Sequence, residues 1–364
     1  MSKLLKVFLI ASFAVASFSA KAVTVASWGG AYTESQQKAY ADTYSDPSSI
    51  QFENYNGGLG EVRAQVESGS VTWDLVDVLP ADAITGCDEG LFEDISADIA
   101  TNAVPGPNGE SMLEDMENNG LEYHSGWDCC VPQIFWTYVV FYDPDAFPGE
   151  KPATMADFFD TNAHPGKRGM RKNPKVTLEF ALIADGVPTD QVYDVLSTEE
   201  GVARAFAKLD TIKDDVVWWE AGAQPPQLLA DGEVVFTTAW NGRVFNAKNG
   251  EGQPFEMVWD GQIYDLDLWV IPKGSKNKEA ALDFVAFSTA TEQLAAQASW
   301  ISYGPARKSS EGMVGSYHSD PSLKMAPHMP TASANFANAL QNDFEFWADN
   351  QDQLNERFNA WLAQ

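Results

Sequence analysis

The opening quarter of the sequence constrains the fold most, because it changes period three times in the same order. Short β-branched runs, "AVTVAS" (22–27), "SIQFENYN" (49–56) and "WDLVDVLP" (73–80), are each followed by a segment that reads as helix. In "GGLGEVRAQVESG" (57–69), Leu59, Val62 and Val66 share one helix face, and Gly69 stands where a left-handed C-terminal residue is wanted. Strand–helix alternation of this kind predicts a parallel sheet covered by helices. The first crossover is unusual. "SWGGAY" (27–32) puts Trp28 and two glycines at the strand-to-helix turn, and Thr33 with Gln36 has the spacing of a capping box. Tyr32, Tyr40 and Tyr44 then fall near one helical face.

The pattern changes after Cys130. "QIFWTYVVFYDP" (133–144) is a long aromatic and β-branched run suited to a strand passing between domains. "VTLEFALIADGV" and "EEGVARAFAKLDTI" read as helices, whereas "VVWWEAG", "GEVVFTTAWNG" and "FEMVWDG" read as strands or strand ends. "YDLDLWVIPKGSKNKEAALDFVAFS" reads as strand, turn and helix, and Phe336, Leu340, Phe344, Trp347, Leu354, Phe358 and Trp361 recur at helical spacing.

Compartment and charge narrow the function. Lys3 and Lys6, the apolar run Leu4–Phe18 and the small-x-small triplet Ala20-Lys21-Ala22 predict a leader over 1–22 and an exported product. No cysteine stands at that junction to carry a lipid. The chain holds 52 acidic against 23 basic residues, a net charge of −29, which opposes binding to nucleic acid or anionic lipid. Three cysteines in an exported chain predict one disulfide. Adjacent Cys129 and Cys130 rarely join each other, so Cys87 is expected to pair with one of them. His124, His164, His318 and His328 are scattered, and no metal or cofactor motif is present.

The ordered set "SWGGAY", "WDLVDVLPADAITGCDEG", "GEVVFTTAWNGR", "YDLDLWVIPKGSKNKEAALDF" and "YGPARK" resembles the substrate-binding proteins of ABC importers, and within them the spermidine/putrescine-binding class. The resemblance runs over nearly all of the chain beyond the leader. It implies an α/β fold of two lobes joined by crossing strands, the type II periplasmic-binding-protein architecture, with ligand held in the cleft. Lobe 1 would comprise 23–135 plus 262–320, and lobe 2 would comprise 136–261 plus 321–364. A monomer that delivers a small solute to a permease in the inner membrane is implied, with the periplasm as its location and Cys129 as the partner of Cys87.

Ligands of open α/β sheets sit beyond the carboxyl ends of the strands, where Trp28, Leu79–Asp82, Trp240 and Asp265–Asp267 fall. The expected set is Trp28, Gly29, Gly30, Tyr32, Asp82, Trp219, Glu220, Trp240, Asp265, Asp267 and Tyr303. Trp28 would form a wall, with Gly29 and Gly30 letting ligand approach the backbone. By resemblance Trp240 and Asp267 match the aromatic and acidic contacts of polyamine binders. The chain departs from that class at two points. Gly29 and Gly30 stand where an acidic residue is carried near the Trp, and Asn173 and Val176 align with paired carboxylates, Glu179 lying nearby. The expectation is an amine-bearing solute of the putrescine or spermidine kind, with Glu220 and Asp265 compensating and Arg243 of little consequence. The alternative is a small carboxylate, amino acid or opine held by Arg171 and Arg243, whose planar forks suit an acid group. A secreted glycosidase using two carboxylates is the rival from another class, and no hydrolase motif supports it.

Overall fold

The computed structural model describes residues 22–119 and 127–364; the apolar run expected to be a leader and His124 lie outside them. Eight strands carry the architecture: β1 (Val23–Ser27), β2 (Ile50–Asn54), β3 (Leu75–Val78), β4 (Cys130–Tyr142), β5 (Arg168–Arg171), β6 (Val216–Trp219), β7 (Phe236–Trp240) and β8 (Glu256–Val270). They lie in the order β2-β1-β3-β8-β4-β7-β5-β6. β2, β1 and β3 are mutually parallel, as are β7, β5 and β6. Between these triplets the long strands β4 and β8 pair antiparallel from Cys130↔Val270 to Tyr142↔Glu256. This is the two-lobed periplasmic-binding-protein fold that the sequence implied.

Helices α1 (Gly30–Ala39), α2 (Gly60–Ser68) and α3 (Pro80–Asp88) follow β1, β2 and β3. α2 ends as its sequence requires, on Gly69 at φ 67°. α1 does not use the expected capping box. It begins at Gly30, three residues before Thr33, and Thr33 Oγ1 accepts from the Gly29 N–H at 2.8 Å. Gln36 faces inward instead, donating to Asp77 Oδ2 at 2.6 Å and accepting from Ser27 Oγ at 2.6 Å. A polar pair inside the sheet outweighed the local cap.

Two further segments differ from their sequence reading. "FEMVWDG" and "YDLDLWV" belong to one strand, β8, which passes Gly261 without turning. Gly261 takes φ 68°, and its N–H donates to the Asn338 carbonyl. The C-terminal helix starts at Phe344, because Asp343 caps it through the Phe346 N–H at 2.8 Å. Phe336 and Leu340 therefore lie outside it, Leu340 pairing with Ile263. That helix spans the two halves: Trp347 Nε1 donates to Glu179 at 2.7 Å, and Gln351 Nε2 reaches Asp82 at 3.4 Å.

Cys87 at the end of α3 bonds Cys129, across 42 residues of sequence, and Cys130 is buried at the start of β4. A loop of that length gives a cross-link worth about 2–4 kcal/mol, chiefly by restricting the unfolded chain. Cys87→Ser is expected to lower unfolding stability by that amount in denaturant titration, and an unchanged midpoint would show that the bond adds nothing.

Candidate ligand-binding cleft

The parallel triplets point their carboxyl ends toward each other, and the middle of the β4/β8 pair forms the floor between them. Trp28 follows β1, Leu79 follows β3, Arg171 ends β5 and Trp240 ends β7. Trp136 and Tyr138 stand on alternate positions of β4, and Asp267 lies on β8 opposite Ile134. These residues, with Tyr32, Arg243 and Tyr303, enclose a narrow cavity with about 20 Å³ of free space. That is room for about one water molecule, well below the roughly 300–1,000 Å³ of ligand sites, so a bound solute needs the walls to stand further apart.

Its walls are aromatic. Trp240 is the hub, with ring centroids 5.7 Å from Tyr138, 6.3 Å from Trp136 and 6.4 Å from Trp28. Tyr32 and Tyr303 pack at 5.4 Å on another side. Two guanidinium groups face the Trp240 ring, Arg171 at 5.1 Å and Arg243 at 5.9 Å from its centroid. Arg171 donates to Tyr138 Oη at 2.7 Å, and Arg243 Nη2 donates to the Trp28 carbonyl at 3.2 Å.

Arg243 is only 6% exposed, and no carboxylate lies within ion-pair distance of it among the described residues. Burial pulls its pKa down, with the nearby Tyr303, Tyr32 and Asp267 opposing that shift. Asp267 is buried as well. Desolvation, then the charges of Asp77 and Asp265, hold its carboxyl well above the usual range. Beneath it, Asp77 accepts from Tyr32 Oη at 2.9 Å, and burial pushes its pKa to about 7. Trp28 Nε1, Trp136 Nε1, Arg243 Nε and Asp267 Oδ1 are all buried without a hydrogen-bond partner. Such atoms are rare in native interiors; Trp28 and Trp136 lie near enough to Asp77 and Asp267 to steady those carboxylates, while Arg243 Nε is left without a partner on the cavity wall.

Of the expected site residues, Trp28, Tyr32, Trp240, Asp267 and Tyr303 meet at this cavity. The others do not line it. Trp219 is fully buried core, edge-on to Trp240 at 5.6 Å, and Glu220 is exposed beside Lys172. Asp265 turns away to Asn342, with burial pushing its pKa to about 7. Asp82 lines a neighbouring chamber together with Lys175 and Asn173. Gly29 and Gly30 offer no backbone to the cavity, since Asn54 packs against Gly29 and the Arg243 guanidinium fills the space over Gly30. Glu179 lies in the interior, accepting from Tyr193 Oη at 2.9 Å as well as from Trp347. Trp136 and Tyr138 were missed, although their alternation in "IFWTYVV" was the available signal: a crossing strand lays every second side chain on the cleft floor. Among the described residues no group of His, Cys, Asp and Glu is placed to hold a metal, and no helix is long and apolar enough to cross a membrane.

Residues 36–331 match the family described as bacterial extracellular solute-binding protein. The chain belongs to that family. This solute-binding protein is 39% identical over 365 residues to a gamma-aminobutyric acid-binding protein of Pseudomonas aeruginosa, covering 99% of this chain and 96% of that one. It is 24% identical over 202 residues, 55% of this chain and 53% of the other, to the spermidine/putrescine-binding periplasmic protein of Escherichia coli. Among solved structures, a periplasmic binding protein of Agrobacterium tumefaciens B6 in complex with glucopine has a TM-score of 0.79 at 29% identity, covering 94% of this chain and 99% of that chain. A solved GABA receptor has a TM-score of 0.75 at 31% identity, covering 94% and 98%.

The raised pKa values of Asp77 and Asp267 give a sign for binding. A ligand ammonium on Asp267 would require the ionised carboxylate, whereas burial favours a proton there, so binding of such a ligand should release a proton. Affinity for such a ligand should rise as pH rises, because the folded carboxyl holds its proton above the usual range. Calorimetric heats at about pH 6.5 should differ between buffers of different ionisation enthalpy, and identical heats would contradict the coupling.

Proposed function

We propose that this ABC-importer solute-binding protein takes a small zwitterion with separated charges, an ω-amino acid of the 4-aminobutanoate kind, and delivers it to its permease. The observation that carries this reading is Arg243: a buried guanidinium on the wall of a small cavity, with no carboxylate within ion-pair distance among the described residues. Leaving such a charge unpaired costs several kcal/mol, and a ligand carboxylate relieves it with charge-assisted hydrogen bonds. Arg171 adds a second fork against the Trp240 ring. Asp267 offers the complementary charge for an ammonium, and the aromatic walls suit the methylenes between. The relatives named for 4-aminobutanoate and for an opine support the same class.

The polyamine expectation gives way on charge. A dication would meet two guanidinium groups, and the residues aligned with the second carboxylate pair, Asn173 and Val176, carry none. Arg243 is accordingly central rather than of little consequence. Calorimetry with 4-aminobutanoate should give one-to-one binding, weakened by about 1.5–3 kcal/mol in Arg243→Gln and in Asp267→Asn. Tight putrescine binding that survives Arg243→Gln would overturn the reading.

A further inference from the structure

Four cavity-lining side chains stand directly against glycines. A Cβ built on Gly30 would lie 2.7 Å from Arg243 Nη1, and one on Gly57 would lie 2.3 Å from Trp28 Cζ3. On Gly222 it would lie 2.1 Å from Trp240 Cζ3, and on Gly242 2.6 Å from Tyr303 Cε1. Gly57, Gly222 and Gly242 line no part of the central cavity, and Gly30 meets it only through Arg243. From this pattern we infer that Gly30, Gly57, Gly222 and Gly242 are specificity-determining positions, which set the length and width of the cavity by letting its walls stand back.

The physical reason is close packing. A methyl group at Gly222 forces the Trp240 ring to move by about 1.5 Å to restore an ordinary carbon–carbon contact. Trp219 blocks one side of that ring, and Tyr138, Trp136 and Trp28 crowd its others. The open direction is the cavity. At Gly242 the added methyl meets Tyr303 and Ile301, and Ile301 is fully buried, so Tyr303 is the ring with space in front of it. Gly30 and Gly57 sit at φ 56° and 83°, where any side chain also strains the backbone. Gly222 and Gly242 have no positive φ, so alanine there changes sterics alone.

This inference rests on the ω-amino acid reading for its ligand and not for its geometry. The experiment measures the affinities of 3-aminopropanoate, 4-aminobutanoate and 5-aminopentanoate for wild type, Gly222→Ala, Gly242→Ala and the control Gly312→Ala. Gly312 has φ −67° and nothing within 4 Å of its added Cβ. The two cleft variants should lose affinity for the five-carbon acid at least about ten-fold more than for the three-carbon acid, the scale of one methylene in a tight pocket. The control should keep the wild-type ratios. Melting curves identify a variant that fails to fold, in which case the other carries the test. Wild-type ratios in folded Gly222→Ala and Gly242→Ala would overturn the inference. If wild type binds none of the three acids, the ligand reading fails by itself, and crystal structures of the unliganded variants decide the geometry. Trp240 or Tyr303 shifted into the cavity would support the inference, and rings left in their wild-type positions would refute it.

Discussion

The antiparallel pairing of β4 with β8 is the constraint on which the other features depend. Each strand is long enough to serve both halves of the molecule, 13 and 15 residues. With these two as a shared centre, the parallel triplets must run toward each other, and their carboxyl ends open on one cleft. The residues that leave those ends, Trp28, Leu79, Arg171 and Trp240, thus become neighbours although up to 212 positions separate them in sequence. The floor comes from the same pair, through alternate side chains of β4 and Asp267 of β8.

Inside that cleft the electrostatics follow from dryness. Cation–π attraction from Trp240 offsets about 0.5–2 kcal/mol of the cost of holding a guanidinium away from water. The desolvation penalty for a buried ion is several kcal/mol, so the ring alone does not balance Arg243. Asp267 and Asp77 resolve the same problem differently, by holding protons at pH values where a solvated carboxylate would be ionised. The cavity wall therefore holds a buried cation and a carboxyl that favours its proton. A zwitterion relieves both at once, while a polyamine relieves only the acid.

Much of the fold was legible in the sequence, because each strand and helix of the first lobe carries its own period and its own stop signal, Gly69 being the plainest. The sequence reads β8 as two strands, since Asp260-Gly261 has the composition of a turn, whereas tertiary bonds from Gly261 to the Asn338 carbonyl and from Asn338 and Met155 to Asp260 hold the strand through that point. Trp28, Trp240 and Asp267 could be placed in the cleft because they stand at strand ends or in a recognisable tract. Glu220 and Asp265 could not be excluded from it by sequence alone: an acidic residue beside the site looks the same whether it faces ligand, Lys172 or Asn342. The meaning of Arg243 was hidden for a related reason. Its importance comes from having no carboxylate at ion-pair distance among the described residues, and that is a property of the packed cleft.

A crystal structure of the protein with 4-aminobutanoate tests the central claim most directly. The ligand should lie in the aromatic cavity with its carboxylate on the Arg243 and Arg171 guanidinium groups and its ammonium on Asp267. A ligand bound in the reverse direction, or in the chamber lined by Asp82 and Lys175 with the aromatic cavity left empty, would contradict it.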